Sequence, residues 1–392
     1  MKKIKFFSFL MLLASSLLFI QCTHDPYVPV DGEDGANGAN GANGIDGADG
    51  IDGTASCVGC HNNSHRDSIT ASYTLSLHNI QTIMFDGSYL AEYTNRTYCA
   101  QCHTNQGYVE FIETGAVQEA AALPTAISCT SCHSTHKTLD FENDGPDYAL
   151  RNVEPLQLIV DEEYHIDYGN TSNNCISCHQ PRTSGPQDDG NGSFNLTSSH
   201  WGPHHGPQST MLEGIQGAQI SGSMSYPPIA SATHRTNSSC VNCHMGETTN
   251  GMDGDHSMWP TDNACVSCHS SGIPNQVQGL ASDMELLTAL LENVIGWEYE
   301  YEVDANGDLV LDANGEPIIV LDGNGNPVIL EVQGIIHDGH PNNGSFGQGA
   351  TFSILEAEAA WNYLFVSEDK SDGIHNPAYA KALIRNSVEA LQ

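Results

Sequence analysis

The sequence predicts a mostly irregular, partly α-helical fold: short helices and long loops, a small β-meander inserted late in the chain, and helices at the C-terminal end. Three observations predict it. The 392 residues are only 39% hydrophobic and 7% aromatic, with 38 Gly, a thin supply of side chains for conventional cores. A Cys-x-x-Cys-His pattern returns six times between residues 57 and 269, leaving roughly thirty-five residues per copy. Beyond residue 269 the pattern gives way to helix-capping boxes and short runs punctuated by Asn-Gly. Charge narrows the partners. Asp and Glu number 48 against 12 Lys and Arg, a net of -36, so the chain repels phosphate backbones and nucleic-acid binding is excluded. Thirteen Cys, an odd number, cannot all form intrachain disulfides.

Taken in order, residues 1–5 carry Lys2, Lys3 and Lys5, and residues 6–20 are apolar or small. These are the first two regions of an export signal, too short for a comfortable membrane span. The hydrophobic run stops at Phe19-Ile20-Gln21-Cys22, resembling the modified cysteine of bacterial lipoproteins. Residues 1–22 are therefore expected to be a lipoprotein-type signal with Cys22 lipidated; simple secretion with a free Cys22 is the alternative. Cleavage leaves 9 basic and 48 acidic residues, net -39. In the segment 23–55, Gly recurs at every third position from Gly32 to Gly53. That is the collagen period, but the repeat lacks proline and its Asp residues would repel across a trimer. A flexible acidic spacer is favoured.

Residues 56–275 hold the six motifs: Cys57–Cys60-His61, Cys99–Cys102-His103, Cys129–Cys132-His133, Cys175–Cys178-His179, Cys240–Cys243-His244 and Cys265–Cys268-His269. Twelve of the thirteen cysteines are used. Two thiols three positions apart lie on one side of a helical turn, where they can add to the two vinyl groups of one haem. The adjacent His can then give an imidazole nitrogen to the iron. Zinc would need pairs of motifs to share an ion and would not need a His after every second Cys. A dithiol enzyme would carry one or two such sites. Six covalently attached haem c groups are expected, and they would supply the core that the composition lacks.

The second axial position at each iron could go to His, Met, water or substrate. The chain resembles the multihaem c-type cytochromes of respiratory bacteria that handle electrons at the cell surface. The likeness is carried by Ser76-Leu-His78-Asn79, Cys132-His-Ser-Thr-His136, Trp201-Gly-Pro-His204-His205-Gly-Pro-Gln208, Ala232-Thr-His234, Gly254-Asp-His256 and Gly373-Ile-His375-Asn-Pro377. It implies a mostly irregular/α multihaem cytochrome c fold, and His78, His136, His204 or His205, His234, His256 and His375 as distal ligands. His136 lies three residues past a motif His and would serve a neighbouring haem. Of the adjacent pair, His205 is preferred. Asn376-Pro377 is an N-cap followed by proline at the first helical position, which sets His375 at the mouth of a helix running to about residue 391. His65, His165, His200, His337 and His340 read as surface residues, and Met245 and Met258 as packing.

The remaining segments are 276–300, an amphipathic helix opened by Ser282-Asp-Met-Glu285 and stopped by Gly296; 301–334, a β-meander; and 335–392, helices returning to the haem core, the first opened by Ser353-Ile-Leu-Glu356. Asp and Asn spacing over 304–325 invites calcium, but the full twelve-residue loop with its closing Glu is missing.

The expectation is an exported hexahaem electron carrier anchored at the cell surface or outer membrane by lipid alone, with a periplasmic or extracellular location as the alternative. Its partners would be redox proteins, an external acceptor, neighbouring haem proteins or copies of itself, as in a filament. The rival is an enzyme, a multihaem reductase of the nitrite or hydroxylamine type with one open iron. Such nitrite reductases typically place Lys in one motif, whereas all six here end in His and neither Lys137, Lys370 nor Lys381 stands in one. A structural or haem-storage role is a third reading.

Overall fold

The computed structural model describes residues 57, 60–80, 96–145, 147–196, 201–246, 254–291, 297–304, 309–312, 317–323, 325, 327–332 and 351–392. The chain divides at residues 52 and 53, and every described residue belongs to the second unit. The export signal, Cys22, the glycine-repeat spacer, His200, His337, His340 and the Asn-Gly pairs at 306–307 and 314–315 lie outside the described residues.

Thirteen helices and six short strands are described, and most helices are brief. In chain order they are α1 (Asn63–Tyr73), α2 (Leu77–Ile80), α3 (Thr97–His103), α4 (Asn105–Thr114), α5 (Cys129–Cys132), α6 (Asn173–Ile176), α7 (Gln208–Glu213), α8 (Thr233–Asn237), α9 (Ser239–His244), α10 (Asp262–Val266), α11 (Leu280–Leu290), α12 (Ile354–Glu368) and α13 (Pro377–Leu391). The strands are β1 (Leu156–Gln157), β2 (His165–Ile166), β3 (Ser193–Asn195), β4 (Trp297–Tyr299), β5 (Ile329–Val332) and β6 (Thr351–Ser353), paired antiparallel as β1–β2, β3–β6 and β4–β5.

Between β4 and β5 the Asn-Gly-rich stretch folds on itself through the antiparallel bridges Tyr301–Ile319, Val303–Leu309, Leu311–Pro317 and Leu321–Pro327. Its first strand starts at residue 297, earlier than the expected boundary at 301. The helix before it also starts early. Gly279 takes the left-handed conformation (φ 82°) and Leu280 is buried, so α11 begins two residues ahead of Ser282. The Ser282 hydroxyl then donates to Gly279 O inside the first turn, and the capping box read from the sequence is not formed. At α12 the box is formed: Ser353 and Glu356 exchange bonds in both directions. Asn376 caps α13, accepting from Tyr379 N, with Pro377 at the first turn.

The core is not where the composition suggests. A conventional apolar cluster gathers Leu280, Leu287 and Leu291 of α11 and its end, Trp361 and Phe365 of α12, and Tyr379, Leu383 and Ile384 of α13. Phe194, Leu196, Trp201 and Met211 pack into it from the middle of the chain. A smaller cluster holds Leu158, Ile166, Ile176 and Leu212. The large cluster fixes the turn between α12 and α13, and that turn carries His375.

Candidate functional site

Each motif closes one helical turn. The amide of the motif His bonds to the carbonyl of the first Cys at four of the six: His61 to Cys57 at 2.8 Å, His133 to Cys129 at 2.9 Å, His179 to Cys175 at 3.1 Å and His269 to Cys265 at 2.9 Å. The other two motifs lie within α3 and α9. The first and second Cys and the His thus share one face of a turn. All twelve motif cysteines are unbridged.

Six non-motif histidines come to face six motif histidines, one for one. The ring centres are 5.9 Å apart for His61 and His136, 6.0 Å for His103 and His204, and 6.3 Å for His133 and His256. They are 6.0 Å apart for His179 and His78, 6.1 Å for His244 and His375, and 6.2 Å for His269 and His234. His136 faces another motif's His, as its position three residues past His133 requires. His234 and His256 also pass over the nearest following motif: His234 meets the sixth and His256 the third.

The adjacent pair resolves against the expected preference for His205. His204 takes a left-handed backbone (φ 66°) that turns its ring toward His103, whereas the His205 ring turns to Glu368 of α12, Nδ1 to Oε2 at 2.8 Å. His65 lies in α1 and His165 in β2. Met258 offers its backbone carbonyl to the His244 ring, and its sulfur accepts from Ser76 at 3.9 Å.

The outer ring nitrogens are held by acceptors. His133 Nδ1 meets Tyr148 O at 2.8 Å, His244 meets Met258 O at 2.9 Å, His256 meets Gly254 O at 2.8 Å and His234 meets Ile374 O at 2.5 Å. His179 meets the Gln208 side-chain oxygen at 3.0 Å, and His375 meets Asp369 Oδ1 at 2.7 Å. A carbonyl or carboxylate can only accept, so Nδ1 carries the proton and Nε2 keeps its lone pair. Burial, then the nearby His179 and His244, pushes His78 down to about 4. Burial, then Arg182, His205 and His103, pushes His204 down to about 3. Burial also lowers His103, His179 and His244. These rings are neutral near pH 7, the form in which imidazole is a ligand.

The geometry fits a metal ion between each pair of rings. Two imidazole nitrogens each about 2 Å from one ion, with ring centres about 1 Å further out, stand roughly 6 Å apart. Direct ring-to-ring hydrogen bonding would bring the rings closer. With a thiol pair beside each motif ring, the donor set is that of a bis-imidazole haem c.

Asp369, Gln208 and the carbonyls of Tyr148, Met258 and Ile374 are parts of these sites that sequence reasoning did not name as such. Gln208 and Ile374 left a signal, as members of the Trp201–Gln208 and Gly373–Pro377 motifs.

Residues 45–187, which contain the first four motifs, match the family model described as outer membrane cytochrome MtrC/MtrF-like, domains II/IV. Among solved structures, the crystal structure of the outer cell wall cytochrome OcwA aligns at 16% identity and a TM-score of 0.42, over 82% of this chain. The chain spans 50% of that structure's length. A search of curated proteins finds no match.

Proposed function

We propose that the chain, whose residues 45–187 match the outer membrane cytochrome MtrC/MtrF-like model, is a multihaem c-type cytochrome that holds six covalently attached haems, each closed on both faces by imidazole, and that it carries electrons in extracellular respiration. The observation that carries the reading is the set of six ring pairs, each made of one motif histidine and one from outside the motifs. Bound haem supplies a one-electron Fe(III)/Fe(II) couple at each site.

The chain's own residues do the rest. The motif thiols attach, the facing imidazoles close the axial positions, and the Nδ1 acceptors hold each ring at its angle. Thiol neighbours order the sites. Cys102 lies beside Cys178, and Cys240 beside Cys175, which sets the second and fifth motifs next to the fourth. Cys132 lies within electrostatic reach of Cys175, and Cys243 of Cys265. The first site joins the third through the short segment from His133 to His136. The sites therefore form a branched path centred on His179, with ends at the first, second and sixth motifs.

Cys22 anchors the exported chain by lipid, and the acidic spacer holds the body off the surface. A donor or acceptor protein docks through a basic face, given the mature net charge of -39. Self-association into a filament would show as a concentration-dependent shift in size exclusion.

Carbon monoxide added to the reduced protein tests the central claim. Six closed sites leave the spectrum unchanged. Stoichiometric binding at one haem would sink the carrier reading in favour of a reductase of the nitrite or hydroxylamine type. The mass of the mature chain should include six haems. A Cys22→Ser chain should leave the membrane fraction.

A further inference from the structure

The structure assigns to Asp369 the role of a positioning residue for the His244–His375 site, one that lowers the reduction potential of that site. This rests on the bis-imidazole reading above. Seven described contacts satisfy a Nδ1 of a paired ring, and six of the acceptors are neutral: four backbone carbonyls, the Gln208 amide oxygen at 3.0 Å and the Ser76 hydroxyl at 3.3 Å. The seventh is the Asp369 carboxylate, 2.7 Å from His375 Nδ1.

The carboxylate is closed off from water, its side chain 0% exposed. Its other described side-chain partner is the Ser371 hydroxyl, which donates to Oδ2. Neither a hydroxyl nor a neutral imidazole balances a buried negative charge, and such a charge is strongly disfavoured unless paired. Lys370 next to it is exposed and lies 3.7 Å from Glu368 instead. The missing positive charge is the one a ferric bis-imidazole centre would place directly behind His375.

The pair is held by a built turn. Asp369 ends α12, its amide bonding to Phe365 O. The His375 amide bonds back to Ser371 Oγ at 3.2 Å, and Asn376 caps α13. Gly373 makes the reversal possible, with φ 80° and no room for a Cβ, which would stand 2.5 Å from Leu280 Cδ2. Two rigid helices thus fix the angle of the His375 ring through its hydrogen bond to a carboxylate. An anionic acceptor makes that ring a stronger electron donor and favours Fe(III) at this site, whereas the six neutral acceptors add no charge to their rings; the Asp147 carboxylate lies 3.8 Å from His136 Nδ1, beyond hydrogen-bond distance.

The test is an EPR-followed redox titration of the full-length, haem-loaded Asp369→Asn variant, which keeps the shape of the side chain and removes its charge. One of the low-spin signals should change its g-values, and its equilibrium should move about tenfold toward the reduced form, about 59 mV for a one-electron couple. The remaining signals should stay in place, and Asp369→Glu should return the shifted one toward the parent value. Ser371→Ala provides a second variant. Losing the hydroxyl donor makes the carboxylate a stronger acceptor, so the same signal should move the opposite way. Unchanged g-values and potentials in both variants, with every haem still low-spin, would overturn the role of Asp369 and leave the bis-imidazole reading standing. A haem in the parent protein that binds carbon monoxide would instead overturn the bis-imidazole reading.

Discussion

Residues 57–150 and the bundle of α11, α12 and α13 are folded by different means. Among the described residues of the first region, the buried apolar side chains are Cys99, Ala100, Tyr108 and Ala149, while Leu75, Leu123 and Leu139 are 63%, 85% and 76% exposed. Its order comes from short helices and polar ties. One example is Asn105, whose side-chain oxygen accepts from Ser128, Thr130 and Ser131. In the bundle, Trp361, Phe365, Tyr379, Leu383 and Ile384 are fully buried against one another. The difference teaches that, among the described residues, the bundle closes on its own side chains and the first region buries too little apolar surface to do so.

The sharpest way to break that comparison is to withhold haem attachment. Hydrogen exchange on the full chain should then find slow amides in α11, α12 and α13 and fast exchange over residues 57–150. Equal protection in both halves would remove the distinction. Next in size is Trp361→Ala, which empties the centre of the bundle and should cost about 3–5 kcal/mol, read as a lowered midpoint of denaturant unfolding. Gly373→Ala strikes the turn where the bundle presents His375, forcing a side chain into the left-handed conformation and against Leu280 at about 1–3 kcal/mol. It should also loosen His375, so the reduced protein should gain partial carbon monoxide binding at one haem. Smallest is Ser353→Ala, which removes the α12 capping box at about 1 kcal/mol and should leave every haem signal unmoved.

How legible each half was in the sequence follows from the same contrast. Covalent attachment needs its three residues within one turn, so the motifs stand contiguous in the chain. The facing histidines meet their partners only through tertiary structure, and the chain offers them as candidates without pairings. His204 and His205 show why. Which of the two rings faces His103 goes with a backbone angle at 204 and with Glu368, 163 residues from His205. The bundle was underread because overall composition averages it with a glycine-rich remainder. Its tightest surfaces also use small or polar side chains: Ala360, Ala380, Ala382, Asn362 and Asn386 are all fully buried. Asn362 closes its amide on Ala218 in both directions, a partner no local pattern reveals. Local rules failed at α11 for a physical reason. A left-handed Gly279 and a buried Leu280 outcompete a capping serine two residues later.

The interleaving of the ring pairs also imposes an order in time. At the His78–His179 and His234–His269 sites the outside histidine comes before its motif in the chain. At the other four it comes after. A chain crossing a membrane N-terminus first would therefore present the motifs of His61, His103, His133 and His244 before their second imidazoles had arrived. The last of these waits for His375, beyond all six motifs. On the proposed bis-imidazole reading, the newborn protein would hold open irons for that interval, and α13, by delivering His375, would end it.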